Sequence, residues 1–134
     1  MRFMAADVAR ATAGELIGQN AHLSGASFDS RVILPGQLFV PIIADRDGHD
    51  YIDDALQAGA GAYLTSRPAR GRTAIVVPDT LVALMQLGTW ALNKLDSQLE
   101  NRVIAITGSV GKTSTKDFIA AALGSQFRVT ASTR

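Results

Sequence analysis

The sequence predicts an α/β protein: a small N-terminal α/β domain followed by the first βαβ unit of a second domain. Three observations carry this. Short apolar runs at Leu38–Ile43, Ala62–Leu64 and Thr73–Val77 have the length of buried strands. Between and after them, residues 50–59 and 80–95 repeat their apolar positions at helical spacing. Finally, Ile104-Ala105-Ile106-Thr107 runs into a glycine turn that opens another helical stretch.

The elements follow in order. Residues 4–13 place Met4, Val8, Ala9 and Thr12 on one helical face, and Gly14 can close that helix. Residues 15–34 are mixed and predict short strands, with Phe28 pointing inward. Pro35-Gly36 is a turn, and Pro41 puts the following strand at an edge or ends it early. Asp45 to His49 is a polar loop, and Asp50 is the expected N-cap of a helix through Gly59. Ser66 to Arg72 carries three arginines between two strands and reads as solvated surface charge rather than a binding patch. Pro78-Asp79-Thr80 ends a strand and caps the helix 80–95, and Asp96–Asn101 reads as a polar joint. Strand 103–107, helix 112–123 closed by Gly124, and strand 127–130 complete the pattern.

Composition narrows the class. The chain has 134 residues, one-domain size as a prior, and 47% are hydrophobic and 19% charged, as in ordinary globular proteins. A net charge of +1 gives no bulk attraction to nucleic acid. No run reaches the roughly 18 apolar residues of a membrane span. The absence of cysteine removes disulfides and thiolate chemistry, and it fits a reducing cytoplasm, the expected location.

The segment Thr107-Gly108-Ser109-Val110-Gly111-Lys112-Thr113-Ser114 carries the chemistry. A strand–glycine loop–helix order aims backbone N–H groups and the positive helix end at an anion. Lys112 can supply a mobile charge to the outer phosphates and Thr113 a hydroxyl ligand for Mg²⁺. Common P-loops separate their glycines by four residues, whereas only Ser109 and Val110 stand here. At average composition a bare G-x-x-G-K-[ST] arises by chance in roughly one chain in two hundred of this length. The strand and helix around it lower that further, so an ordinary turn with a surface lysine is the weaker reading. A P-loop site also needs an acidic metal ligand from a later strand, and none precedes Arg134. A truncated piece of a longer nucleotide-binding protein is therefore expected, in which residues 101–134 lack their sheet partners.

Other residues leave alternatives open. Asp29-Ser30-Arg31 before a Pro-Gly turn can be a capped turn with an internal ion pair, or a site for a polar ligand. His49 in a polar loop can be structural or solvated, or can shape a pocket.

The contracted loop Thr107–Thr113 resembles the T-G-[ST]-x-G-K-T motif of the Mur ligases of peptidoglycan synthesis. Upstream, Phe28-Asp29-Ser30-Arg31-Val32-Ile33-Leu34-Pro35-Gly36-Gln37-Leu38-Phe39 is similar to the family's D-S-R-x-[VI]-x-P-G-x-L-F segment. Asp47-Gly48-His49-Asp50-Tyr51-Ile52, with Ala55 and Gly59-Ala60, is similar to its D-G-H-[DE]-[FY]-[IL] segment. Val77-Pro78-Asp79-Thr80 and Ala83-Leu84 resemble the start of its interdomain helix. The family usually has a glycine or more residues where Ala44-Asp45-Arg46 stand, so the pocket edge is expected to differ.

The resemblance implies a domain for the UDP end of a UDP-muramoyl peptide at 1–78, an interdomain helix and joint at 79–100, and the start of an ATP-binding domain at 101–134. Gly108-Ser109 with Thr113-Ser114-Thr115-Lys116 is similar to the member that joins D-alanyl-D-alanine to UDP-N-acetylmuramoyl-tripeptide; the diaminopimelate- or lysine-adding member more often shows G-T-N-G-K-T-T. The implied reaction activates the peptide carboxylate as an acyl phosphate with ATP and Mg²⁺, and the amine of D-alanyl-D-alanine then attacks it. The implied ATP site is Gly108, Ser109, Val110, Gly111, Lys112, Thr113 and Ser114, with Lys112 catalytic and Thr113 on the metal. The implied UDP-substrate site is Asp29, Ser30, Arg31, Gly48 and His49. The whole enzyme is expected to be a monomer, and these residues alone to be inactive; a MurE-like ligase acting on the dipeptide and a non-catalytic nucleotide-sugar module are the alternatives.

Overall fold

The computed structural model describes residues 2–99 and 103–132, and for 96–99 the backbone alone. Two compact units result, Met1–Asp96 and Ser97–Arg134.

The first unit is built on a five-stranded sheet. Its strands are β2 (Glu15–Ile17), β4 (Ala26–Ser27), β5 (Leu38–Phe39), β6 (Ala62–Thr65) and β7 (Ala74–Val76), with β1 (Phe3–Met4) and β3 (His22–Leu23) forming a separate antiparallel pair. The order is β2-β7-β6-β5-β4, with β4 to β7 parallel and β2 antiparallel on the edge. Registers such as Leu38 opposite Ala62 and Leu64 opposite Ile75 align the apolar runs.

Strand alternation divides those runs between two cores. Leu38, Val40, Ala62, Leu64, Ile75 and Val77 face one side, where Val8 of α1 (Ala5–Ala11) and Ala83 and Leu87 of α3 (Thr80–Leu99) cover them. Phe39, Tyr63 and Ala74 face the other, under Ala55 of α2 (Ile52–Gln57). Both faces are covered, so continuous apolar runs are stable there; each fully buried Leu, Ile or Val contributes roughly 1.5–3 kcal/mol.

Several expectations change in detail. The first helix is shorter than 4–13, and its left-handed closing residue is Ala13 (φ 49°) rather than Gly14. Gly14 is needed for close approach: a Cβ there would lie 2.8 Å from Ile75 Cγ2 and from Val77 Cγ1. Phe28 is 69% exposed, because the Ser27 hydroxyl accepts from Asp29 N–H at 3.1 Å and the chain turns off the edge strand. β5 does end early, before buried Pro41, but it lies inside the sheet and not at an edge.

Asp50 is not the helix cap. Asp47 takes that place by accepting from His49 N–H at 2.9 Å, and a 3₁₀ turn (Gly48–Tyr51) leads into α2. Asp79 does cap α3, accepting from Leu81 N–H at 2.8 Å and Val82 N–H at 3.0 Å. That helix runs on through Leu99, so 96–99 are helical, and the division between the two units falls at Asp96/Ser97, within the expected joint; residues 100–101 lie outside the described residues.

Beyond the end of α3, α4 (Lys112–Gly124) is the one regular element among the described residues. Residues 103–107 and 127–130 form no strands, so the predicted βαβ unit is not formed among the described residues. A strand needs a neighbour to pair its N–H and C=O groups. Val103, Ile104 and Val129 stay exposed without one.

Candidate functional site

The turns that follow β4, β5 and β6 all leave the C-terminal edge of the parallel sheet, the edge where open α/β sheets hold ligands. Asp29, Ser30 and Arg31 follow β4. Gly48 and His49 follow β5. Ser66 to Arg70 follow β6. A cavity of about 210 Å³ opens on this edge, lined by His49, Ile52, Tyr63, Thr65, Arg67 and Arg70 among others.

Asp29 and Arg31 form the internally paired turn that was one of the two sequence readings. The Asp29 carboxylate accepts from Arg31 N–H at 3.0 Å, from Nε at 2.8 Å and from Nη2 at 2.6 Å. Those side-chain bonds first, and the backbone bond next, hold the Asp29 carboxyl down to about 2. Arg31 remains 85% exposed and keeps donors for a further anion. The Asp29 hydrogen bond, and next its charge, raise the pKa of Arg31, while the Tyr51 hydroxyl accepts from Arg46 Nη1 at 3.5 Å. The trio does not line the cavity.

His49 is buried, its side chain 1% exposed. Nδ1 lies 2.7 Å from Asp47 Oδ1, while Nε2 accepts from Ser66 N–H at 3.1 Å and lies 3.2 Å from the Ser66 hydroxyl. A backbone N–H can only donate, so Nε2 carries no proton and Nδ1 does. Asp47 also accepts from Arg67, whose other nitrogen is 3.6 Å from Asp50. The His49 backbone bond, then its ring, and finally the charge of Arg67 lower the Asp47 pKa. Gly48 is the seat of this turn. A Cβ there would lie 2.6 Å from Ile42 N and 2.7 Å from Ile42 O, both backbone atoms.

Sequence reasoning missed the loop after β6. Its arginines are exposed, as expected of surface charge, but Arg67 is also ion-paired across 20 residues, and Arg67 and Arg70 line the cavity. The available signal was position: Ser66 and Arg67 come directly after a strand of the parallel sheet. Tyr63 braces the same loop, its hydroxyl donating to Arg70 O and accepting from Arg70 N–H, each at 2.8 Å.

The glycine loop lies in the second unit. Gly108 (φ 149°) and Gly111 (φ 80°) occupy backbone regions that favour glycine. Gly111 is the N-cap of α4, and no side chain caps the helix. Gly111 has no side chain to accept from the first-turn N–H groups of α4, and Lys112 Nζ folds back to donate to Gly108 O. Thr113 is half-buried on the first turn, and Ser109, Val110 and Ser114 are exposed. Such a turn suits an anion.

No protein-family model matches the chain. In sequence it is 43% identical over 112 residues to UDP-N-acetylmuramoyl-tripeptide--D-alanyl-D-alanine ligase of Bacillus subtilis (strain 168), covering 80% of this chain and 24% of that protein. The ligase of the same name from Escherichia coli (strain K12) is 42% identical over 112 residues, covering 82% and 24%. In structure, MurF from Acinetobacter baumannii superposes with a TM-score of 0.79 at 26% identity, over 94% of this chain and 28% of that one. MurF ligase from Thermotoga maritima in complex with ADP gives a TM-score of 0.57 at 27% identity, over 75% and 23%.

Fold, motifs and relatives define the chain as Mur-ligase-like. Among those ligases it resembles MurF, the D-alanyl-D-alanine ligase, and it spans about a quarter of the length of the curated relatives it matches.

Proposed function

We propose that this chain is the part of a D-alanyl-D-alanine-adding Mur ligase that holds the UDP end of UDP-N-acetylmuramoyl-tripeptide and opens the ATP site. The observation that carries this is the 43% identity to a ligase of that name over 112 residues. The retained glycine loop supports it, as do the two upstream motifs on one sheet edge.

At the sheet edge, Asp29, Ser30, Arg31, Gly48 and His49 form the substrate site. Arg31 presents its exposed guanidinium toward a diphosphate while Asp29 fixes its direction. Gly48 lets the turn sit against Ile42.

At the glycine loop, the N–H groups of Ser109 to Lys112 and of the α4 first turn hold the nucleotide phosphates. Lys112 leaves Gly108 O and neutralises charge on the transferred phosphoryl group. ATP with Mg²⁺ would supply the γ-phosphoryl group to one oxygen of the peptide carboxylate, releasing ADP, so that this oxygen departs as phosphate when the amine attacks the acyl carbon. Thr113 would give Mg²⁺ one hydroxyl ligand. Among the described residues no three His, Cys, Asp or Glu side chains cluster to complete that metal site. These residues therefore bind both nucleotides and do not complete the reaction alone. A cytoplasmic monomer is the working state of the whole ligase.

The test is phosphate release by a ligase of the relatives' length that carries this sequence. Release is expected only when both UDP-N-acetylmuramoyl-tripeptide and D-alanyl-D-alanine are present, and Lys112→Ala abolishes it while UDP-substrate binding persists. Near-wild-type turnover by Lys112→Ala would sink the assignment.

A further inference from the structure

The loop after β6 belongs to neither of the motifs that carry the family resemblance, yet it makes the most specific contacts on the sheet edge. We infer that Asp47, Ser66 and Arg67 are positioning residues for His49: they fix its ring as the neutral Nδ1-protonated tautomer and join the loop after β5 to the loop after β6. The role in substrate binding rests on the proposed UDP-substrate site; the tautomer and the loop junction do not.

The geometry leaves His49 no spare nitrogen. Nδ1 is used by Asp47 and Nε2 by Ser66, from both the backbone N–H and the hydroxyl. The ring therefore forms a wall of the cavity and does not hydrogen-bond a ligand through nitrogen. Asp47 is the junction. One oxygen receives the His49 backbone and ring, and the other receives Arg67 from the neighbouring loop. Arg67 cannot be exchanged freely for another cation, because its planar fork reaches Asp47 and Asp50 together. Asp53 and Arg70 also line the cavity, and they are the charged groups left to meet a ligand. Anchoring the β6 loop to the His49 turn thus sets where Arg70 stands.

The full chain with ¹⁵N-labelled histidine tests this. His22 is exposed and serves as the internal reference for an unconstrained ring. His49 is expected to show a protonated Nδ1 and an unprotonated Nε2 in slow exchange with other forms. Arg67→Met is expected to blur that signature and weaken UDP binding about tenfold, the scale of one charge-assisted hydrogen bond. Arg67→Lys should recover part of both. An Nε2-protonated or averaged ring in the wild type overturns the inference without any variant. So does an Arg67→Met protein with unchanged His49 signals and UDP affinity. A wild-type chain that shows the expected tautomer but binds no UDP supports the clamp and overturns the substrate reading instead.

Discussion

Gly48→Ala is the sharpest perturbation of the sheet edge, because what a methyl group meets there is main chain. The added Cβ would sit 2.6 Å from Ile42 N, 2.7 Å from Ile42 O and 3.0 Å from Pro41 C. No rotamer change relieves those contacts, so the turn itself must move. Overpacking of this kind costs about 1–3 kcal/mol. Moving the turn also breaks the 3.0 Å bond from Gly48 N–H to Ile42 O, worth about 1 kcal/mol. The lower unfolded-state entropy of alanine returns about 0.4–1 kcal/mol. The net is a loss of about 1–3.5 kcal/mol. Urea unfolding followed by the fluorescence of Trp90 measures it, since this single tryptophan packs edge-on against Phe3 at 5.8 Å in the first unit. A midpoint shift equivalent to less than about 0.5 kcal/mol, the scale of an ordinary surface change, would refute the steric argument.

Three further outcomes are expected. The Asp29 carboxyl should titrate near 2 by NMR and return toward 3.8 in Arg31→Met. Its folded pKa is depressed, so its contribution to stability is present above 3.8 and is lost as pH falls toward 2; an unshifted midpoint in the wild type would refute the pairing. Tyr63→Phe should lower stability by about 1–3 kcal/mol, because the buried hydroxyl holds both main-chain polar groups of Arg70. Phe28→Ala should change stability by less than about 0.5 kcal/mol in the same urea assay, since its side chain is mostly in solvent; a loss of core-like size would show that it is buried after all.

The central sheet was legible because β5, β6 and β7 are unbroken apolar runs, a pattern that only a sheet covered on both faces requires. The helix caps were legible less evenly. Asp79 caps α3 as expected, whereas near His49 the cap is Asp47 and not the expected Asp50, because spacing alone cannot tell which carboxylate turns back on the chain. Phe28 was misplaced because hydrophobicity alone does not report that a serine hydroxyl has redirected the backbone. The strands flanking the glycine loop failed for another reason: apolar residues specify a strand only where a partner is present, and pairing is not a local property. At the site, Asp29, Ser30, Arg31, Gly48 and His49 come together on the C-terminal edge of the sheet, a grouping that spacing in the sequence does not announce. Arg67 was invisible because its meaning depends on Asp47, 20 residues earlier in sequence.

The absence of any buried residue on α4 has a thermodynamic consequence for whatever the glycine loop binds. A 13-residue helix without a packed face is marginal in water. The N–H groups proposed to hold phosphate exist as a set only while its first turn is wound. An anion captured there binds the wound state alone, so its apparent affinity is its intrinsic affinity scaled by the fraction of chains in that state. Anything that adds cover to α4, such as a packed neighbour, would tighten nucleotide binding without touching the nucleotide. Affinity at Lys112 is in this sense a measurement of how well the far side of the helix is clothed.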